Sequence, residues 1–123
     1  MITIRAAPRL RTDLATLRGH ESIVIDYYTS ARCGSVVGDI TACVAQAPQV
    51  DAYSKVADLD GVPVFAVRQL VPLLEETALS LDRRRLPVGR GLAVALDQPE
   101  RWMEFLERPR ITRPLRWLPG RKY

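Results

Sequence analysis

The sequence predicts a small α+β domain, built on a mixed, mostly antiparallel sheet with two or three short helices. Three observations lead there. The chain has 123 residues, the size of one ordinary domain. Apolar runs of strand length alternate with turn residues, and only a few stretches carry helical spacing. The dipeptide Asp60-Gly61 stands between two such runs, a strong short-range hairpin signal.

The elements follow in order. Met1–Arg5 alternates as a short strand. Pro8 suits the first turn of a helix, where its missing N–H costs nothing. Leu10, Leu14 and Leu17 repeat at helical spacing and Gly19 is a fitting stop, which predicts a helix over residues 8–18. Ser22–Tyr28 reads as a strand, with Ile23, Ile25 and Tyr27 on one face. The small residues of Thr29–Gly38 read as a loop. Ile40–Ala45 is a strand that turns Ile40, Ala42 and Val44 one way and Cys43 the other. Gln46–Ala52, with Pro48, is a connection.

Val56–Leu59 and Val62–Ala66 are the arms of the Asp60-Gly61 hairpin. Pro63 confines its strand to an edge or leaves its nitrogen side unpaired. Val67, Leu70, Val71 and Leu74 form the stripe of a short helix, kept near its first turn by Pro72. Ala78–Asp82 alternates as a strand, Gly89-Arg90-Gly91 as a turn, and Leu92–Leu96 as a buried strand. Asp97 and Glu100 have the spacing of a helix cap before Trp102, Phe105 and Leu106. The order is β-α-β-β-β-β-α-β-β-α.

Composition narrows the class. Hydrophobic residues make up 47% and charged residues 26%, the balance of a folded domain and not of a disordered chain. No apolar run approaches a membrane span, and the opening Met1-Ile2-Thr3-Ile4-Arg5 lacks the pattern of a secretory leader, so a cytoplasmic protein is expected. Two cysteines, Cys33 and Cys43, exclude a disulfide-rich scaffold. A bridge between them across a hairpin is open to the sequence, although a reducing cytosol opposes it.

Charge is uneven. The net charge is +4, yet residues 1–82 carry −3 and residues 83–123 carry +7. From residue 107 onward prolines and arginines dominate, which divides the chain into a domain of residues 1–107 and a basic tail of residues 108–123. Arg110, Arg113 and Arg116, with Trp117 and Tyr123 interleaved, are candidate contacts to nucleic acid. The alternative is a solvated surface or a tail folded over an acidic face.

Candidate chemistry centres on the cysteines. Cys33 lies beside Arg32, and a neighbouring cation favours the thiolate that binds metal or reacts. Cys43, inside an apolar strand, has the setting of a small hydrophobe, with a metal role as its competing reading. His20 would need Asp26 or Asp39 as a partner to act as a base, and otherwise reads as a surface loop residue. The two aspartates would flank the cysteine loop as carboxylate ligands, or cap turns. Arg90 lies in the glycine turn, which lacks the spacing of a phosphate loop. Arg83-Arg84-Arg85 offers an anion contact from at most two of its members, since strand neighbours alternate faces. No nucleophile elbow or zinc helix is visible.

Several strings, in this order, resemble the HesB-like domain of the A-type iron–sulfur carriers. They are Ile2-Thr3-Ile4 through Leu17, Ser22–Tyr28 with Ser30-Ala31-Arg32-Cys33-Gly34-Ser35, and Asp60-Gly61-Val62-Pro63-Val64-Phe65. Leu70–Leu74, Thr77–Asp82 and Gly89-Arg90-Gly91-Leu92 complete the series. The resemblance covers residues 2–97 and implies that family's fold, with Cys33 at its first cysteine position. The family's C-terminal Cys-Gly-Cys pair is absent, because Asp97–Leu106 holds no cysteine. A cluster needs about four thiolate-type ligands. One matching cysteine per chain would give a dimer two. The chain looks more like uncharacterised HesB-like relatives that keep the Gly-Arg-Gly turn and lack that pair.

The expected function is therefore a non-enzymatic HesB-like binding or accessory protein without a cluster, touching its partner through Arg32, Arg90 and the tail arginines. Two alternatives stand beside it. One is an iron–sulfur cluster or iron carrier using Cys33 and Cys43 in a homodimer. The other is a nucleic-acid-binding protein acting through the tail.

Overall fold

The computed structural model describes residues 2–17, 19–32, 35–48, 51–83 and 91–107. The elements are β1 (Ile4–Ala6), α1 (Pro8–Leu14), β2 (Glu21–Arg32), β3 (Ser35–Gln46), β4 (Tyr53–Leu59) and β5 (Val62–Val67). A single 3₁₀ turn, Arg68–Leu70, leads into α2 (Val71–Glu76), followed by β6 (Leu79–Arg83), β7 (Gly91–Leu96) and α3 (Glu100–Glu107). This is the predicted order of elements.

The seven strands form one sheet in the order β1-β6-β7-β3-β2-β5-β4. Four of its neighbouring pairs are antiparallel, and the β1–β6 and β2–β5 pairs are parallel. The sheet curls until its outer strands β1 and β4 approach each other, nearly closing a barrel. Its inner face holds Ile4, Ile23, Ile25, Tyr27, Ile40, Ala42, Leu59, Val64, Leu79 and Leu81. Leu10 and Leu14 of α1, Leu73 and Leu74 of α2 and Phe105 of α3 join the same cluster. Each fully buried aliphatic side chain there contributes on the order of 2 kcal/mol by leaving water.

Local chemistry explains most boundaries. Asp60 and Gly61 both take positive φ, 52° and 87°, as a two-residue hairpin turn of the type I′ class requires. Pro63 is not on an edge strand, because β5 lies between β2 and β4. It is tolerated because β2 pairing begins only at Val64, so no neighbour needs an N–H from residue 63. Val67 closes β5, and Leu70, Leu73 and Leu74 are the buried stripe of the short helical segment.

The structure corrects four expectations. Helix α1 stops at Leu14 and not at residue 18. Both the hydroxyl and the N–H of Thr16 bond the Asp13 carbonyl, which tightens the chain away from further α-helical turns. Residues 29–32 and 35–38 are strand and not loop, since the β2–β3 ladder runs from Glu21↔Gln46 to Arg32↔Ser35. Gly38 marks a close approach in that ladder, where a Cβ would lie 2.1 Å from the Tyr28 carbonyl oxygen. Strand β7 is half-exposed and not buried, as Ala93 and Ala95 face solvent while Leu92, Val94 and Leu96 pack inward. Asp97 does not cap α3, which begins at Glu100; its carboxylate pairs with Arg5.

Candidate functional site

The long β2–β3 hairpin carries four of the described candidates, Asp26, Arg32, Asp39 and Cys43. Its base is flanked on both sides, by β5 at Ile23–Ile25 and by β7 at Ala42 and Cys43. Beyond those pairs the neighbours part from it, and the hairpin continues as a two-stranded ribbon to Arg32 and Ser35.

Cys43 sits at the base. It pairs with Val24 and is 3% exposed, in a small apolar cluster with Val24, Ala45 and the flank of Tyr53 on the sheet face opposite the main core. Arg32 ends β2 at the other extreme, eight register steps from Val24. At about 3.3 Å per residue the two ends are about 26 Å apart. Cys33, Arg90, Arg110, Arg113 and Arg116 lie outside the described residues.

The two aspartates named from sequence have distinct places. Asp26 is buried, 4% exposed, and its carboxylate accepts hydrogen bonds from the Tyr53 hydroxyl at 2.6 Å and the Tyr27 N–H at 2.8 Å. Asp39 is exposed and accepts the Ile40 N–H at 2.9 Å. In both cases a carboxylate bonds the N–H of the next residue just where a neighbouring strand has left the hairpin. Backbone groups at such edges would otherwise face water or recruit a foreign strand. His20 is exposed at the foot of β2, six residues and about 20 Å from Asp26. The pairing of His20 with Asp26 is therefore not formed.

Where β3 and β7 separate, they leave a cleft of about 240 Å³ lined by Asp39, Ile40, Val94, Leu96, Pro99 and Trp102. The Trp102 ring stacks on Phe105, with centroids 5.2 Å apart and planes 17° from parallel, and meets Tyr27 edge-on at 6.1 Å. Its indole N–H donates to the Gly38 carbonyl at 3.2 Å, fixing the ring against the β3 edge. The most open large apolar side chains among the described residues, Val37 and Met103, belong to β3 and α3, the same two elements.

A second depression, about 500 Å³, lies over β1, β6 and β7 and is bordered by Arg5, Ser80, Asp82, Ala93 and Ala95. Its charges are paired. Arg9 grips Asp82 with two bonds of 2.7 Å, and Arg5 pairs with Asp97. Beside it Arg83 reaches back to Asp13 of α1 through bonds of 3.0 and 2.7 Å. Arg83 is thereby taken up within the fold. The Arg9 hydrogen bonds hold the Asp82 carboxyl below its ordinary range, helped by the Arg83 N–H and by both guanidinium charges and opposed by desolvation. Arg9 is raised in turn by its bonds to Asp82 and by the carboxylate charge.

Sequence reasoning missed the cleft. It named Asp39 and Trp102 separately, and only the parting of two strands distant in sequence joins them. Among the described residues no group of three or more His, Cys, Asp and Glu side chains is arranged to hold a metal, and no helix is long and apolar enough to cross a membrane. Comparison with protein-family models, curated proteins and solved structures finds no match to this chain.

Proposed function

We propose that this chain is a non-enzymatic binding or accessory module on a HesB-like scaffold, with no iron–sulfur cargo of its own. The observation that carries the reading is the length of the β2–β3 ladder. Arg32, the covalent neighbour of Cys33, stands about 26 Å from Cys43, well beyond the reach of two thiolates sharing one metal within a chain. Cys43 is also enclosed among Val24 and Ala45, the setting of a structural thiol. The scaffold reading itself rests on the resemblance of the strings from Ile2-Thr3-Ile4 to Gly89-Arg90-Gly91-Leu92.

Anaerobic reconstitution with ferrous iron and sulfide tests it. The expected product is protein without stoichiometric iron or acid-labile sulfide. A stable cluster that disappears in Cys33→Ala overturns the proposal. Loss of that cluster in both Cys33→Ser and Cys43→Ser would establish instead a carrier whose ligands come from two chains.

A nucleic-acid role through the tail is the second reading, favoured by charge. The six basic residues beyond Glu107 exceed the whole net charge of +4. In the described body, Arg5, Arg9, Arg11, Lys55, Arg83 and Arg101 each engage a carboxylate. Gel retardation of RNA or DNA at low salt, abolished in Arg110→Ala/Arg113→Ala/Arg116→Ala and falling steeply with added salt, would support it. Absence of retardation at low salt dismisses it.

A further inference from the structure

We propose that the cleft between β3 and β7 is a binding site for a small organic cation, an alkylammonium or guanidinium group, held between the Asp39 carboxylate and the Trp102 ring. The proposal does not depend on how the thiols are used.

Charge complementarity is the first support. Asp13, Asp58, Asp60, Asp82 and Asp97 each meet an arginine or lysine. Asp39 has no such partner among the described residues, and its carboxylate's only hydrogen bond there is the one it accepts from the Ile40 N–H. The nearby guanidinium of Arg101 is engaged by Gln98 and Glu104 on its own helical segment, and Arg5 is engaged by Asp97. Asp39 therefore presents a carboxylate with unused acceptor capacity at the mouth of a cleft, in a chain otherwise rich in cations.

The wall of the cleft supplies the second support. Trp102 is immobilised before any ligand arrives, by its stack on Phe105 and its bond to Gly38. Tryptophan gives the strongest attraction to a cation among the aromatic side chains, within about 6 Å of the ring. Ile40, Val94, Leu96 and Pro99 complete an apolar lining suited to the aliphatic part of such a ligand. The volume of about 240 Å³ equals the liquid share of about eight waters, enough for a cation of a few heavy atoms. An anion gains nothing here, because it would face Asp39.

The test uses the full chain, ¹⁵N-labelled, titrated at constant ionic strength with butylammonium, with N-acetylarginine methylamide and with butyrate. Trp117→Phe assigns the remaining indole signal to Trp102. Both cations are expected to give saturable shifts of that indole and of the Asp39 and Ile40 amides, and butyrate none. Asp39→Asn keeps an oxygen for the Ile40 N–H but removes the charge, and should weaken cation binding by about 5- to 10-fold. Tighter binding of butylammonium assigns the site to free amines; tighter binding of the arginine derivative assigns it to an arginine side chain on a peptide. Absence of a saturable shift with either cation, an equal response to butyrate, or equal affinity in Asp39→Asn overturns the proposal.

Discussion

Asp39 and Asp82 occupy the same kind of position and end differently. Each lies on a strand and accepts the N–H of the residue after it, Ile40 at 2.9 Å and Arg83 at 2.7 Å. At the α1–β6 corner, Arg9 then closes a two-bond fork on Asp82, and Arg83 returns a second fork to Asp13, so strand and helix are tied by two crossed pairs. At the β3–β7 cleft no arginine among the described residues pairs with Asp39, and an indole ring lines the space beside it. A carboxylate at a strand edge thus becomes a clamp or a site according to what the neighbouring element brings. The corner has its counterions built in, and the cleft has room for one from outside.

The comparison breaks most severely if the β3 edge itself is displaced. Gly38→Ala places a methyl group 2.1 Å from the Tyr28 carbonyl oxygen, a backbone atom that cannot move aside alone. The expected cost is about 3 kcal/mol, the upper part of the range for overpacking, read as a lowered denaturation midpoint. The Asp39 and Trp102 resonances should shift with it, and those of the α1–β6 corner should stay. A neutral Gly38→Ala would mean that the two strands do not approach at Gly38 as closely as described.

Removing the indole donor is a smaller insult. Trp102→Phe keeps a ring to stack on Phe105 and loses the bond to the Gly38 carbonyl. A loss of about 1–2 kcal/mol is expected from that bond and the missing ring volume. Faster hydrogen exchange across Gly38–Thr41 would locate the loss at the cleft. Smaller still is Asp39→Ala, at about 0.5–1 kcal/mol, because it strips only an exposed cap from the Ile40 N–H. Asp39→Asn should be nearly silent in stability, which separates the carboxylate's charge from its hydrogen bond.

These residues also show how far the chain could be understood before it was folded. The order of elements was legible because alternation, helical spacing and the Asp60-Gly61 turn are local signals, each carried by a few consecutive residues. The outer half of the β2–β3 hairpin was not legible. Ser30, Ala31, Ser35 and Gly38 have loop-like composition, and only the cross-strand ladder from Thr29↔Gly38 to Arg32↔Ser35 makes them strand. The exposure of β7 was hidden for a related reason. Ala93 and Ala95 look like core residues until the sheet puts them on its outer face. Asp97 had the spacing of a cap, and its actual partner, Arg5, is 92 residues away. The cleft combines all three difficulties, because Asp39, Trp102 and Val94 meet only where two strands diverge.

The smallest expected effect tests the clamp on Asp82 by acid. Arg9 holds the Asp82 carboxyl below the value it has in the unfolded chain, so the folded state binds its proton less readily. That contribution is complete above the ordinary aspartate range, near pH 4, and is lost as the pH falls through the lowered folded value. Denaturant midpoints measured from pH 7 down to pH 3 should therefore converge for wild type and Asp82→Asn at the acid end, with wild type the more stable at neutral pH. Added salt should narrow the neutral gap, since the pair is open to solvent. If the two midpoints instead kept the same gap down to pH 3, the Arg9 fork would not be what holds the Asp82 carboxylate.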